Sequence, residues 1–335
     1  MPTEENIPPN PPRPAAENLL FARTLFPGPL TPILNSPLFW LAAFVLLNFA
    51  VPFFDISSQA IAVLGALSLT FAYIAIVLCF AATVALRRLS IAAILAAGVL
   101  ALLFWLAMDK WIAPGIMQPI IAELEITQAL PSTPQILQRL FITTFTDLAI
   151  LVTAVCAGNL AARMIQTPNM IGPVCVVIAL IDIWGVLFGG IVSQLMEKTD
   201  IAEKAMTKGP LIGAASTSAA NYAIPLPAIG VGDYLFIGLL LGVLILHNLN
   251  WRAAMNWIAP LVCVALLSIS FGITPFALPG LVPIALGAAI PNRAFFRYTR
   301  EEKFALLYAG IFVLILTGAL YLGFQSMLPS KKIAI

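Results

Sequence analysis

Two aspartates lie in apolar stretches of the sequence, where an ionisable side chain is costly. Asp182 sits in the segment VCVVIALIDIWGVLFGG, with no charged residue for many positions on either side. Asp233 lies near the beginning of the apolar segment GDYLFIGLLLGVLILHNL, again without a basic neighbour. Because no lysine or arginine at helical spacing can pair with either carboxyl group, each aspartate needs another explanation.

Paired carboxyl groups in an apolar environment suggest one chemistry above others. If the two groups meet, they cannot both ionise cheaply, so they share one proton and titrate as a pair. The ionised member can deprotonate a water molecule while the protonated member polarises a peptide carbonyl. That is the chemistry of aspartyl proteolysis, and it needs neither a metal nor a nucleophilic side chain.

Other hydrolytic sites are poorly represented in the sequence. There is no GxSxG motif, and the single histidine, His247, leaves too few ligands for most metal sites. The cysteines lie in apolar stretches without a CxxC pair, and we interpret them as packing residues: Cys79, Cys156, Cys175 and Cys263. We therefore expect no metal and no cofactor.

The composition indicates a membrane protein. Of the 335 residues, 61% are hydrophobic and only 10% are charged, whereas about a quarter of a soluble chain is charged. The net charge of +2 and the absence of a dense basic run argue against a nucleic-acid partner. The expected surroundings are a lipid bilayer, as for a multi-pass protein of the cell membrane.

The apolar windows predict an all-α, polytopic bundle of transmembrane helices. We expect about nine spans, at 37–54, 58–86, 91–112, 137–162, 170–195, 230–249, 253–273, 278–296 and 303–325. Residues 1–34 are rich in proline and are expected to be a disordered tail. With the N-terminus in the cytoplasm, the inner segments hold ten of the 17 basic residues, which favours that orientation.

A motif surrounds the second aspartate. Gly230-Val231-Gly232-Asp233 fits the pattern GxGD, and an aromatic and aliphatic run follows it. Further on, the segment ALPGLVP, at residues 277–283, is similar to a Pro-Ala-Leu landmark. The order of Asp182, GxGD and this proline segment resembles the presenilin and signal-peptide-peptidase family of intramembrane aspartyl proteases, of which the chain looks like a divergent, prokaryotic-type member.

The resemblance implies a site and a class of substrate. Asp182 and Asp233 would be the catalytic pair, supported by Gly230, Gly232, Pro279, Gly280 and Leu281. The substrates would be transmembrane proteins or signal-peptide-like segments, cut within or near the membrane. Such a substrate would unwind and add as a strand beside the second aspartate's helix, and the candidates for that edge are Ile224, Leu226 and Ile229.

The chain also departs from the family pattern. Ile181 stands where the family usually has tyrosine, and Gly280 replaces alanine in the proline segment. We predict five spans up to the first aspartate, where the family has six, and one extra span at the end. The predicted divisions are a tail at 1–34, N-terminal helices at 35–165, a catalytic core at 166–300, and a final span with its tail at 301–335.

Two other functions stay open at this point. Lone membrane carboxylates also serve as proton relays, so a proton-coupled transporter is one alternative. Such carriers often carry an internal repeat, and residues 37–162 and 170–325 show no convincing match. The second alternative is an inactive family member that binds membrane helices without cutting them.

Overall fold

The computed structural model describes residues 31–54, 59–116, 118, 133–183, 206–207, 211–212, 224–225, 229–270 and 279–327. These residues are predominantly helical, which confirms the predicted helical class. The helices are α1 (Thr31–Leu34), α2 (Pro37–Ala50), α3 (Gln59–Leu86), α4 (Ile91–Ala107), α5 (Thr133–Ala162), α6 (Ile171–Ile183), α7 (Val231–Leu246), α8 (Trp251–Ser270), α9 (Leu281–Ala289) and α10 (Arg300–Met327).

Shorter elements complete the described fold. Turns of 3₁₀ helix lie at Val51–Phe53, Pro168–Met170 and Ile290–Phe295, and a π-helical turn at Met108–Ile112 continues α4. The strands β1 (Met206–Thr207), β2 (Leu211–Ile212), β3 (Ile224–Pro225) and β4 (Ile229–Gly230) are two residues each. They form two antiparallel pairs, β1 with β4 and β2 with β3.

Four helical segments of the described chain are long enough and apolar enough to cross a membrane, which indicates a membrane protein. They are Val63–Leu86, Ile91–Ile116, Pro134–Ala162 and Trp251–Ser268. Shorter apolar helices lie at Pro37–Phe53, Pro168–Ile183, Val231–Leu246 and Leu281–Phe295. Each of the nine predicted windows overlaps a described helix, but the number of membrane spans stays a prediction.

The predicted tail at residues 1–34 and the structure differ at the last four of these residues. Residues 1–30 lie outside the described residues, but Thr31–Leu34, within the predicted tail, form a helical turn. The indole Nε1 of Trp40 donates a hydrogen bond of 2.8 Å to the Leu34 carbonyl oxygen. This contact ties the turn to the beginning of α2.

Helix α7 lies at the centre of the fold, packed against α3, α5 and α9. Every residue from Ile237 to Ile245 is buried, so the helix is covered on all sides. Small residues permit its close contact with α5. A Cβ added at Gly238 would lie 2.8 Å from the Val155 carbonyl oxygen, and one added at Gly242 would lie 2.8 Å from the Ala162 Cβ. The four-residue spacing of these glycines is a frequent helix-packing pattern in membranes.

Helices α8 and α9 pack on each other, and α9 also packs on α6. Gly287 of α9 approaches the α8 backbone closely, since an added Cβ would lie 2.8 Å from the Ile258 Cα atom. This arrangement places the beginning of α9 between the end of α6 and the beginning of α7. The two aspartates singled out above lie on those two helices.

Candidate active site

Asp182 lies at the second-to-last described position of α6 and caps the beginning of α9. Its Oδ2 atom accepts a hydrogen bond of 2.6 Å from the backbone N–H of Leu281, the first residue of that helix. The first N–H groups of a helix have no partner within that helix, and a carboxylate is favourable there. The beginning of α9 therefore offers a backbone N–H group to which the Asp182 carboxyl group binds.

Asp233 lies in the first turn of α7 and bonds to the residue that precedes the helix. Its Oδ2 atom accepts a hydrogen bond of 3.1 Å from the Gly230 N–H. Gly230 is extended, with φ −72° and ψ 152°, and Asp233 is the third helical residue, which is the usual spacing of such a return bond. The bond fixes the carboxyl group at the junction of β4 and α7.

The two carboxyl groups converge on one dipeptide, Gly280–Leu281. Asp182 binds the Leu281 N–H, and a Cβ added at the preceding Gly280 would lie 3.1 Å from Asp233 Oδ1 and 3.4 Å from its Oδ2. Because Gly280 and Leu281 are consecutive residues, both carboxyl groups lie at one point of the chain. Glycine at position 280 leaves the space that the Asp233 carboxyl group occupies.

A small cavity of about 20 Å³ lies beside Asp233. Its other lining residues are apolar or glycine, and they come from α3, β4, α7, α8 and the beginning of α9. A cavity of this size has room for about one water molecule. The surroundings suit a site in which a carboxyl group acts on a single small reactant in an apolar environment.

Of the other site residues predicted from the sequence, some contact the two carboxyl groups and one does not. Leu281 bonds to Asp182, and Gly280 lies against Asp233. Pro279 directly precedes Gly280, and Gly230 bonds to Asp233. Gly232 lies in the first turn of α7, where an added Cβ would meet no atom within 4 Å. The structure therefore gives Gly232 no packing role among the described residues.

The candidate substrate edge is engaged within the chain. Ile224 pairs with Ile212 across β3 and β2, and Ile229 pairs with Thr207 across β4 and β1. Ile229 is also buried and lines the cavity at Asp233. Leu226 lies outside the described residues. One edge of β3 and one edge of β4 are therefore already paired with another strand of the protein.

A tyrosine pair next to the site was not singled out from the sequence. The hydroxyl groups of Tyr73 on α3 and Tyr234 on α7 are 2.8 Å apart, and both side chains are buried. A tyrosine in an apolar window could have indicated this pair from the sequence, since a buried hydroxyl group needs a hydrogen-bond partner. Tyr234 follows Asp233 directly, so the pair fixes the first turn of α7 against α3.

The four cysteines and a third aspartate do not line the cavity at Asp233. All four cysteines are buried and none forms a disulfide. Asp147, a third aspartate within an apolar helix, is buried in α5, with 3% of its surface exposed. No protein-family model, curated protein or solved structure matches the chain.

Proposed function

We propose that this protein is an intramembrane aspartyl endopeptidase of the presenilin and signal-peptide-peptidase kind. Asp182 and Asp233 act as its general acid and base. The substrates are transmembrane proteins or signal-peptide-like segments, and no cofactor takes part. The protein crosses the cell membrane several times, with its N-terminus in the cytoplasm.

The observation that carries the proposal is the convergence of Asp182 and Asp233 on the dipeptide Gly280–Leu281. The two aspartates lie on different helices, in stretches without other charges, and nothing in the local sequence requires them to meet. Intramembrane ionisable residues that face a cavity are mostly functional. Two carboxyl groups that converge on one dipeptide, with room for one water molecule beside Asp233, form the minimal apparatus for acid–base hydrolysis.

In this mechanism the two aspartates share one proton. The ionised carboxylate removes a proton from the attacking water, and the protonated carboxyl group donates a hydrogen bond to the scissile carbonyl oxygen. The tetrahedral intermediate then collapses as a proton passes to the leaving amine. The Leu281 N–H keeps Asp182 oriented, and the Gly230 N–H does the same for Asp233.

Asparagine variants separate this chemistry from a purely structural role. Both aspartates accept backbone hydrogen bonds at the beginning of a helix, and an asparagine side-chain oxygen can accept the same bonds. Asp182→Asn and Asp233→Asn should therefore keep the fold and lose the acid–base pair. We expect each variant to lower the cleavage rate at least about 100-fold.

The measurement is cleavage of a single-span substrate in liposomes by purified protein, with thermal unfolding recorded in parallel. Asp147→Asn is the matched control, because it replaces a third carboxyl group, which is buried within an apolar helix and does not line the cavity at Asp233. We expect this control to keep its cleavage activity, and an aspartyl transition-state analogue to inhibit the wild type. Cleavage near the wild-type rate in Asp182→Asn or Asp233→Asn would contradict the proposal.

A further inference from the structure

A large apolar cleft lies between α10 and the rest of the protein. It has a volume of about 670 Å³, within the range of small-molecule sites, and its walls come from α6, α9 and α10. Val176 and Leu180 contribute from α6, Leu286 from α9 and Leu307 from α10. The cleft does not include Asp182 or Asp233, so it is separate from the candidate active site.

One end of this cleft is basic. Arg293 and Lys303 both line it, and both are exposed. Among the described residues, neither cation has a carboxylate within 4.0 Å. Of the two nearby acidic residues, Glu302 accepts a 2.8 Å hydrogen bond from the Thr299 N–H, and Glu301 is exposed in the first turn of α10. The two basic side chains are therefore available to an anion at the mouth of the cleft.

The polar end of the cleft is held in place by specific contacts. The Asn169 side chain donates a 2.8 Å hydrogen bond to the Arg297 carbonyl oxygen and accepts one of 3.3 Å from the Arg297 N–H. The Tyr298 hydroxyl group donates to the Asn169 carbonyl oxygen at 3.0 Å and lies directly against Gly172. These bonds fix the segment between α9 and α10 to the beginning of α6.

We propose that this cleft binds one molecule of an anionic phospholipid. The phosphate lies between Arg293 and Lys303, and an acyl chain follows the apolar walls of α6, α9 and α10. The basic mouth requires an anion, and the apolar body beyond it requires a hydrocarbon tail. A zwitterionic lipid brings its own cation to the same mouth and is bound less well. Basic pockets between membrane helices are known to select anionic headgroups.

This proposal is independent of the proposed proteolysis. It rests on the position of two cations at one end of an apolar cleft in a protein whose helices suit a membrane. The cleft does lie along α6, which carries Asp182 at its far end. A lipid bound there would contact one of the two helices that position the carboxyl pair.

The test is a titration of delipidated protein in detergent, with bound lipid counted by native mass spectrometry. Phosphatidylglycerol and phosphatidylcholine with identical acyl chains are the two probes. We expect one tightly held phosphatidylglycerol in the wild type. Each cation near a membrane surface contributes a factor of about five, so the double variant R293Q/K303Q should lose roughly 30-fold in affinity for phosphatidylglycerol.

Two matched controls make the result specific. The double variant K110Q/R139Q removes the same charge away from the cleft, and its affinity for phosphatidylglycerol should stay at the wild-type level. Gly310→Phe and Gly318→Phe place the same side chain on α10, at positions where an added Cβ meets no atom within 4 Å. Of these two glycines, Gly310 lines the cleft, so its variant alone should weaken lipid binding.

Three results would overturn the proposal. They are equal retention of the two lipids by the wild type, an unchanged affinity in R293Q/K303Q, and displacement of the bound lipid by inorganic phosphate at an equal concentration. The last result would mean that the headgroup alone is recognised. Cleavage assays play no part in these measurements, so failure of the proteolysis proposal leaves the lipid test intact.

Discussion

Helices α7 and α10 differ in how much of their surface the rest of the protein covers. In α7, the residues from Ile237 to Ile245 are all buried, and neighbouring helices surround them. In α10, large apolar side chains remain exposed along the helix, among them Phe312 at 64% and Ile315 at 65%. The first helix belongs to a packed core, and the second presents its apolar surface to the surroundings.

The glycines of the two helices explain part of this difference. Gly238 lets α7 approach the backbone of α5 at Val155, and Gly242 leaves room for the Asn159 and Ala162 side chains, so a side chain at either glycine would not fit. On α10, Gly310 and Gly318 have open space around the position of a Cβ. The same residue type therefore supports packing in one helix and only lowers helix propensity in the other. The candidate active site lies at the beginning of the closely packed helix α7, and the proposed lipid cleft is lined by the exposed helix α10.

The largest effect should come from adding a methyl group to the contact between α5 and α7. A Cβ at Gly158 would meet the Leu235 carbonyl oxygen and lie 2.7 Å from the Leu239 nitrogen. Because helix backbones cannot move aside independently, Gly158→Ala should lower the free energy of unfolding by about 2–3 kcal/mol. The measurement is the thermal unfolding midpoint in detergent micelles.

Gly318→Ala is the matched substitution on α10. It should leave the unfolding midpoint unchanged or raise it, since alanine is a better helix former and no atom stands in its way. Equal destabilisation by the two alanines would show that the contrast between the helices does not govern stability.

The helical framework was largely predictable from the sequence. A long apolar window defines a helix almost by itself, and the predicted 58–86 compares with Gln59–Leu86 in the structure. Which helix lies at the centre was harder to predict, because α7 and α10 both read as apolar windows. The spacing of Gly238 and Gly242 was the available signal for close packing.

The candidate site was predictable as a set of residues and not as a geometry. Asp182, Asp233 and the proline segment stood out because of their types and their order along the chain. The bond from the Leu281 N–H to Asp182 joins residues far apart in sequence, and it depends on how α6 meets α9. The partnership of Tyr73 and Tyr234 likewise follows from the packing of α3 on α7.

Gly280→Ala should have an intermediate effect, because it should lower the cleavage rate at the site without lowering the stability of the core. Gly280 has φ −70° and ψ −28°, a conformation that alanine adopts readily, so the backbone should tolerate the change. The added Cβ would lie 3.1 Å from Asp233 Oδ1, which requires the carboxyl group to shift by a few tenths of an ångström. We expect a roughly 10-fold lower cleavage rate with an unchanged unfolding midpoint.

Gly115→Ala controls for the substitution itself, because a Cβ there has open space and lies outside the site. A Gly280→Ala protein with full cleavage activity would show that the dipeptide does not constrain Asp233. A large loss of stability would instead show that Gly280 is needed for helix packing, as the glycines of α5 and α7 are.

The smallest effect should come from the tyrosine pair that connects the core to the site. Tyr73 and Tyr234 are buried with their hydroxyl groups 2.8 Å apart, and a buried hydrogen bond contributes about 1 kcal/mol. We expect Tyr73→Phe and Tyr234→Phe to be coupled by about that amount in a double-mutant cycle of unfolding free energies. Additive effects would mean that the bond contributes nothing to stability. Because Tyr234 follows Asp233, coupling in the cleavage rate as well would show that the packed core of α7 holds the carboxyl group in position.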